Sequence, residues 1–583
     1  MKDTDFNNEL QAPVETITAN LDAQTSNDAS PETPTDDAVN KDQKETIFIK
    51  PGDDFSDVII PDVSDSSENS KKEESENSSP DNGSCDAHTT SPLSENEFTI
   101  GIWLFTIIKG GIAKLKGFCR SCVIQKFTEY GYYKRYRDKM SYIFIREQDG
   151  IIEETETVIV KDLFHQEVVD MKESMVISHN GSNAEVLPQK LKETFLNQSN
   201  IIFNRQFLEH LPNHTKPILK DDKTTANFFF QNQIIMVTAN GIDYVEYRDI
   251  LDYCIWKNQQ IEHVFTYNPD NKNCHFAKFV RNVTNNDPLR LGALVSGIGY
   301  QLHNYNHPSG GQAVLLYDEE IADISSPMGG TGKGLIGNAI AEMREVVKID
   351  GKKFNPKDRF CFQDISDSTQ VVLFDDAKPD LGFDRFHSIL TDGWSVEKKH
   401  KDQFFIKPKD SPKMLITSNS ILSSDGNTNK RRQHVIELSD HYSKQFKAGI
   451  KEPIKSEHGC TFFDEQDWDA VEWNKFYSYM LECIQYYLEF GLQDYPHVNV
   501  EENKLRQATS EEFCEWTKSQ NFQKGVKYGI SDLCREFTDI YYGSSSNDFN
   551  QRTFNQWMKK FAASREWTME IKKSNSSNFC TFK

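Results

Sequence analysis

The sequence predicts an α/β core built on a mostly parallel sheet across residues 301–445, and three features of that stretch predict it. Short apolar runs alternate with helical segments, the pattern of strand–helix–strand units. A glycine-rich turn carrying Lys333 opens an apolar helix. Two later apolar runs end in polar groups, Asp375-Asp376 in one and Asn419 in the other.

In chain order the first element is a tail. Residues 1–97 hold 24 Asp and Glu against 6 Lys and Arg, with few aromatics. Such a segment buries too little apolar surface to offset its ordering entropy and reads as a disordered acidic tail. A partner-steering arm and a plain solvated tail both fit it. The rest of the 583-residue chain carries 65 acidic and 60 basic side chains, so the net charge of −23 does not exclude a nucleic-acid partner for the body.

Residues 98–300 read as an α+β accessory region. Its opening run, FTIGIWLFTII (98–108), has 11 residues, short of the roughly 20 a membrane helix needs. It is expected to be a buried element, and no stable membrane insertion is expected. The N-terminus shows no signal-peptide pattern, and eleven scattered cysteines fit a reducing cytoplasm, that of a bacterial host cell. The close pair Cys119 and Cys122 lacks a second ligand pair and reads as two buried thiols rather than a zinc site. Residues 131–147 predict two strands about a turn near Arg137–Lys139, basic and aromatic enough for nucleic acid yet equally ordinary for a hairpin. Helical spacing follows over 187–215, strands around Asn240-Gly241 over 228–247, and helical spacing again over 274–305.

The core strands are AVLLYDE (313–319), TQVVLFDDA (369–377), PKMLITSNS (412–420) and RRQHVIEL (431–438). Between the first two lies SSPMGGTGKGLIG (325–337), close to the phosphate-loop pattern G-x-x-x-x-G-K-[ST] but with Pro327 and Gly334 at its outer positions. Gly329, Gly330, Thr331, Gly332 and Gly334 surround Lys333, so backbone N–H groups and a helix N-terminus can face phosphate oxygens while the lysine reaches outward. Of two carboxylates ending a buried strand, one would hold Mg²⁺ through water and the other would orient or deprotonate an attacking water. Asn419 adds a neutral amide that can bond the γ-phosphate or that water without repelling either. Arg431 and Arg432 supply guanidinium groups of the kind that stabilise charge on a transferring phosphoryl.

Taken together, GGTGKG, VVLFDDA, the segment from 389 to 410, MLITSN and NKRRQHVIEL resemble in order the superfamily 3 helicases, especially the helicase half of phage, plasmid and poxvirus primase-helicases. The resemblance is specific over about 313–445. It implies an AAA+-like P-loop NTPase core of superfamily 3 helicase type, assembled as a homo-hexamer that moves along single-stranded DNA with ATP and Mg²⁺. It implies that Lys333 is the phosphate lysine, Asp375 the metal-side acid, Asp376 the water-activating acid and Asn419 the sensor. Arg431 or Arg432 would be an arginine finger acting in a neighbouring subunit. Lys398, Lys399, His400 and Lys401 would sit on a hairpin that grips DNA. Gly334 departs from the pattern by removing a hydroxyl that usually ligates Mg²⁺, and Pro327 stiffens the loop entrance. No primase signature stands out before residue 313.

A helical region (446–520) and a C-terminal winged-helix-like module (521–583) complete the chain, the latter read from its order of helix, helix, strand, turn, strand. Arg552, Lys559 and Lys560 lie near its second helix, in a module type that docks either duplex DNA or protein. The sequence therefore points to an ATP-dependent ring helicase acting on single-stranded or forked DNA in replication of a mobile element, with a primase or other replication proteins as partners. A non-unwinding P-loop DNA motor and a nucleotide-gated DNA-binding scaffold are the alternatives.

Overall fold

The computed structural model describes residues 96–583 apart from 110, 140, 180–181, 308–310, 321–329, 380, 423–430, 544–548 and 575–576. Two compact units divide them: one takes in the described residues through Pro217 together with Leu251–Lys257, and the other takes in Ile218–Ile250 and Asn258–Lys583.

In the first unit, the apolar run 98–108 forms antiparallel strands rather than a helix, Glu97–Ile100 paired with Trp103–Ile108, and Ile112–Phe118 completes the sheet. Trp103 and Phe105 are fully buried, and Trp103 stacks on Phe118 with ring centroids 4.8 Å apart. The expected hairpin is present as Tyr132–Tyr136 and Tyr142–Gln148, closed by Arg137 and Asp138 N–H groups donating to Ser141 O. Its Tyr132 is buried in the core with Phe127 and Phe164, so part of its aromatic character is packing. The strand Ile151–Glu154 and the short parallel strand Ile255–Trp256 extend that sheet.

The second unit carries the predicted parallel sheet. Its strands are β1 (Ala313–Asp318), β2 (Val346–Asp350), β3 (Val371–Asp375), β4 (Lys413–Thr417) and β5 (Gln433–Leu438), in the spatial order β2-β3-β4-β1-β5, every pair parallel. Every residue of β1 is buried, as expected for a central strand covered on both faces. Alternation splits the side chains: Val314, Leu316, Leu373 and Leu415 face one core, while Leu315, Tyr317, Phe374 and Ile416 face the other. Helices α1 (His275–Val283), α2 (Pro288–Leu302), α3 (Lys333–Ala341) and α4 (Ala470–Phe490) contribute to the first of these cores. Gly299 on α2 permits close approach to α4, since a Cβ there would fall 2.2 Å from Cys483 O.

The boundary expected at residue 300 lies earlier. Residues 218–250 and 258–300 belong with the parallel sheet. A buried ion pair holds them there: Arg344 Nη2 lies 2.9 Å from Asp221 Oδ2, and the same guanidinium donates to Asn227 O and Leu302 O. The C-terminal module also begins before residue 521, because Phe513 and Trp516 on helix Glu511–Ser519 share a core with Phe537, Phe554 and Phe582. Helices Ile530–Tyr541 and Gln551–Ser564 precede a hairpin of Met569–Ser574 and Ser577–Phe582, the predicted order, and Lys527–Gly529 adds a third strand.

Candidate functional site

The carboxyl ends of β1, β3 and β4 lie side by side, the edge at which open α/β sheets bind ligands. The chain leaves β1 for β2 on the far edge of the sheet, so a switch in strand order falls beside β1.

Lys333 is the first residue of α3, and its ammonium sits 2.5 Å from Asp318 Oδ1 and 2.7 Å from Asn419 Oδ1. The Asn419 amide donates in turn to Asp376 Oδ1 at 2.9 Å. Thr417 Oγ1 donates to Asp375 Oδ1 at 2.7 Å and accepts the Asp376 N–H at 2.8 Å, so one hydroxyl sets both acids. Four residues singled out in the sequence as chemical groups, Lys333, Asp375, Asp376 and Asn419, thus meet in one network.

Local backbone explains the convergence. Gly332 caps α3 in the left-handed region, at φ +101, and an added Cβ would meet the Phe279 ring at 2.5 Å. Only glycine satisfies both conditions. Gly330 also has a positive φ, +113, and open space where a Cβ would be. Thr331 is buried and donates to Asp318 Oδ1 at 2.5 Å. Asp376 itself is left-handed at φ +59, which turns the chain sharply as it leaves β3. Gly329 and Pro327 lie outside the described residues.

Charges in the network balance. Asp318, with a side chain 6 % exposed, faces Lys333 at 9 %. Lys348 lies 2.7 Å from Asp375 Oδ2, and Lys352 pairs with Asp376. Burial pushes the Asp375 carboxyl up, but hydrogen bonds from Lys348 and Thr417 outweigh it and hold the group below its ordinary range. Lys352 is raised above its ordinary value by its bond to Asp376. Among the described residues no group of three or more His, Cys, Asp or Glu side chains is arranged to hold a metal ion. The donor set nevertheless suits a metal-bound phosphate: two carboxylates, one amide oxygen, and an ammonium beside a glycine turn with room at Gly330 and Gly334.

Asp318, Thr417, Lys348 and Lys352 were not singled out by sequence reasoning. Asp318 ends an apolar strand, the same signal that marked Asp375 and Asp376. Thr417 had no signal, being a β-branched residue in a strand, where such residues are common.

Arg431 and Arg432 lie elsewhere. Arg432 O accepts the Ala313 N–H, and Arg431 O accepts from the Gln312 amide, so both arginines stand at the amino end of β1. That is the length of a six-residue strand, roughly 16–20 Å at about 3.3 Å per residue, from the Lys333 edge. Within one chain they do not reach Lys333. The basic segment forms the tip of an antiparallel hairpin, Trp394–Val396 with Phe404–Ile406. Lys399, His400 and Lys401 are exposed there, and His400 has φ +60. Lys398 lies over the Phe404 ring, and Lys399 over Phe360. In the C-terminal module Arg552 and Lys559 are exposed, whereas Lys560 donates to Ala508 O at 2.8 Å.

A family model described as a family of unknown function (DUF5906) matches residues 324–432, a span running from the glycine turn to the two arginines. No curated protein matches the chain. Similar solved structures include one described as the A form apo structure of the NrS-1 C terminal region-CTR, 10% identical, with a TM-score of 0.36, covering 79% of this chain and 98% of that one. Another, described as the A form apo structure of the NrS-1 C terminal region-CTR (305-718), is 12% identical, with a TM-score of 0.31, covering 73% and 99%. Among the described residues no helix is long and apolar enough to cross a membrane.

Proposed function

We propose that this chain is an ATP-dependent ring helicase that moves along single-stranded DNA during replication of a mobile element. One observation carries the reading: Lys333, Asn419 and Asp376 form a continuous chain of contacts at the carboxyl edge of a parallel sheet, with Asp375 beside it. These are the group types that phosphoryl transfer uses for positioning and charge stabilisation.

In this reading Lys333 and the N–H groups at the start of α3 bind the β- and γ-phosphates. Asp375, held ionised by Lys348 and Thr417, faces the metal side, where Mg²⁺ would neutralise developing phosphate charge. Asp376 accepts the proton of the attacking water, and Asn419 orients that water from its amide. Lys348 and Lys352 are exposed enough to release the acids when the nucleotide arrives, their side chains being 55 % and 57 % accessible. Arg431 and Arg432, at the amino end of β1, serve a site in the next subunit of a homo-hexamer, a head-to-tail arrangement that closes by rotation. The hairpin tip with Lys398, Lys399, His400 and Lys401 follows a DNA backbone, and the C-terminal winged-helix-like module adds a second DNA contact through Arg552 and Lys559.

The test is Mg²⁺-dependent ATP hydrolysis with and without single-stranded DNA, beside unwinding of a forked duplex. Asp376→Asn is expected to lower turnover by at least 100-fold, consistent with loss of a general base, while retaining nucleotide binding. Replacing Lys398, Lys399 and Lys401 by Ala is expected to flatten the salt dependence of DNA binding and to abolish DNA stimulation. Absence of any hydrolysis by the wild-type protein would sink the helicase reading in favour of a DNA-binding scaffold. Hydrolysis without fork opening would favour a non-unwinding motor.

A further inference from the structure

The pair Cys119 and Cys122 sits in the first unit, apart from the residues used above. Cys119 is the N-cap of helix Arg120–Glu129, and the Cys122 thiol lies one turn on, its Sγ 2.7 Å from Cys119 Sγ. Two unbonded sulfurs this close need to move less than 1 Å to reach the roughly 2.05 Å of a disulfide, so bond formation leaves the helix in place. Cys119 Sγ also accepts the Cys122 N–H at 3.5 Å and lies 3.3 Å from Ser121 Oγ. Ser121 and Arg120 are exposed and Cys122 is half-buried, while Cys119 is buried directly beneath them, so a small peroxide reaches it past Ser121 and Cys122.

We propose that Cys119 and Cys122 are a redox-active dithiol that closes to a reversible disulfide on reaction with a small peroxide. Cys119 is the attacking thiol. Burial alone would raise it, but hydrogen bonds from the Cys122 and Ser121 side chains and from two backbone N–H groups outweigh burial and lower it. Burial and the neighbouring Cys119 raise Cys122. Environments that push two like groups apart assign them different roles, and a capped thiol at a helix N-terminus is the more nucleophilic at neutral pH.

The Cys119 thiolate attacks one peroxide oxygen, breaking the O–O bond and expelling hydroxide, and becomes a sulfenic acid. Cys122 sulfur then attacks Cys119 sulfur, and the sulfenic oxygen leaves as water with the Cys122 proton. Two thiols lose two hydrogens, and the peroxide is reduced to two waters. External dithiol restores the pair.

The experiment treats the full chain with hydrogen peroxide and maps disulfides by non-reducing peptide mass spectrometry, with dimedone as a sulfenic-acid trap. The expected result is a peptide containing a Cys119–Cys122 bond, two hydrogens lighter and returned to free thiols by dithiothreitol. In Cys122→Ser, dimedone is expected on Cys119; in Cys119→Ser, Cys122 is expected to stay unlabelled under the same exposure. Thermal melts of each variant verify folding. Sulfonic acid at Cys119 with no internal bond overturns the proposal, as does pairing of either residue with another cysteine. Dimedone on Cys122 but not Cys119 overturns the assignment of the attacking thiol.

Discussion

Replacing Lys333 should destabilise the fold as well as stop chemistry, and the contact with Asp318 sets the size of the effect. The two groups lie 2.5 Å apart with side chains 9 % and 6 % exposed. Lys333→Met leaves a buried carboxylate without its cation, a change that costs about 3–5 kcal/mol. The Thr331 hydroxyl still donates to Asp318 at 2.5 Å, which moves the expected loss to the lower end, about 3 kcal/mol. In a unit of this size that corresponds to roughly 4 °C in Tm. The double variant Asp318→Asn/Lys333→Met removes both charges and should recover most of the loss. The assay is thermal and urea denaturation followed by circular dichroism without nucleotide, on the wild type, both single variants and the double variant. A Lys333→Met protein as stable as wild type, or a double variant no more stable than Lys333→Met, would refute the reasoning. The double variant is therefore the proper control for ATPase loss, since it should be inactive while folded.

Three further outcomes are expected. Gly332→Ala forces a side chain into φ +101 and against Phe279, 2.5 Å away, and should lower stability by about 3 kcal/mol. Gly334 meets no atom within 4 Å, so Gly334→Ser should raise stability by about 0.5 kcal/mol and lower the Mg²⁺ concentration needed for half-maximal hydrolysis; equal melting shifts for the two variants would contradict the local geometry. Burial, reinforced by Glu465, pushes Glu342 up to about 7. The native state then keeps a proton that the unfolded chain releases, so this contribution is full below about pH 4.5 and is lost as pH rises through about 7. Glu342→Gln should flatten the stability decline between about pH 5 and pH 8, measured by urea midpoints, and an unchanged decline would show that other groups cause it.

Four strands of the parallel sheet were legible because each is an apolar run broken by turn residues; β2, a half-exposed edge strand with Lys348 at its centre, was not, and candidate site residues stood out where polar groups end the apolar runs. Asp375, Asp376 and Asn419 were singled out that way, and Lys333 by the glycine-rich turn around it. Asp318 obeys the same rule yet looked like the ordinary end of a strand, since a lone acid carries no spacing signal. Thr417 became visible only through its bonds to two acids on the neighbouring strand. The division after Pro217 was hidden because it depends on Asp221 meeting Arg344, 123 residues later in the chain. Short-range periodicity holds no information about such a pair.

The excursion from Asp376 to Asn419 leaves the sheet at the end of β3 and returns along β4, its immediate neighbour. The basic tip is therefore the far point of a covalent loop whose two ends are the acid and amide that touch at 2.9 Å. Trp394, Val396, Phe404 and Ile406 at the base of the hairpin are buried in the core that also holds Phe374 of β3 and Ile416 of β4. Any ligand that favours one tip arrangement through those anchors must have its own affinity changed, by the same factor, by whatever occupies the anchors. The hairpin base and the site edge are thus tied through shared packing as well as through the chain.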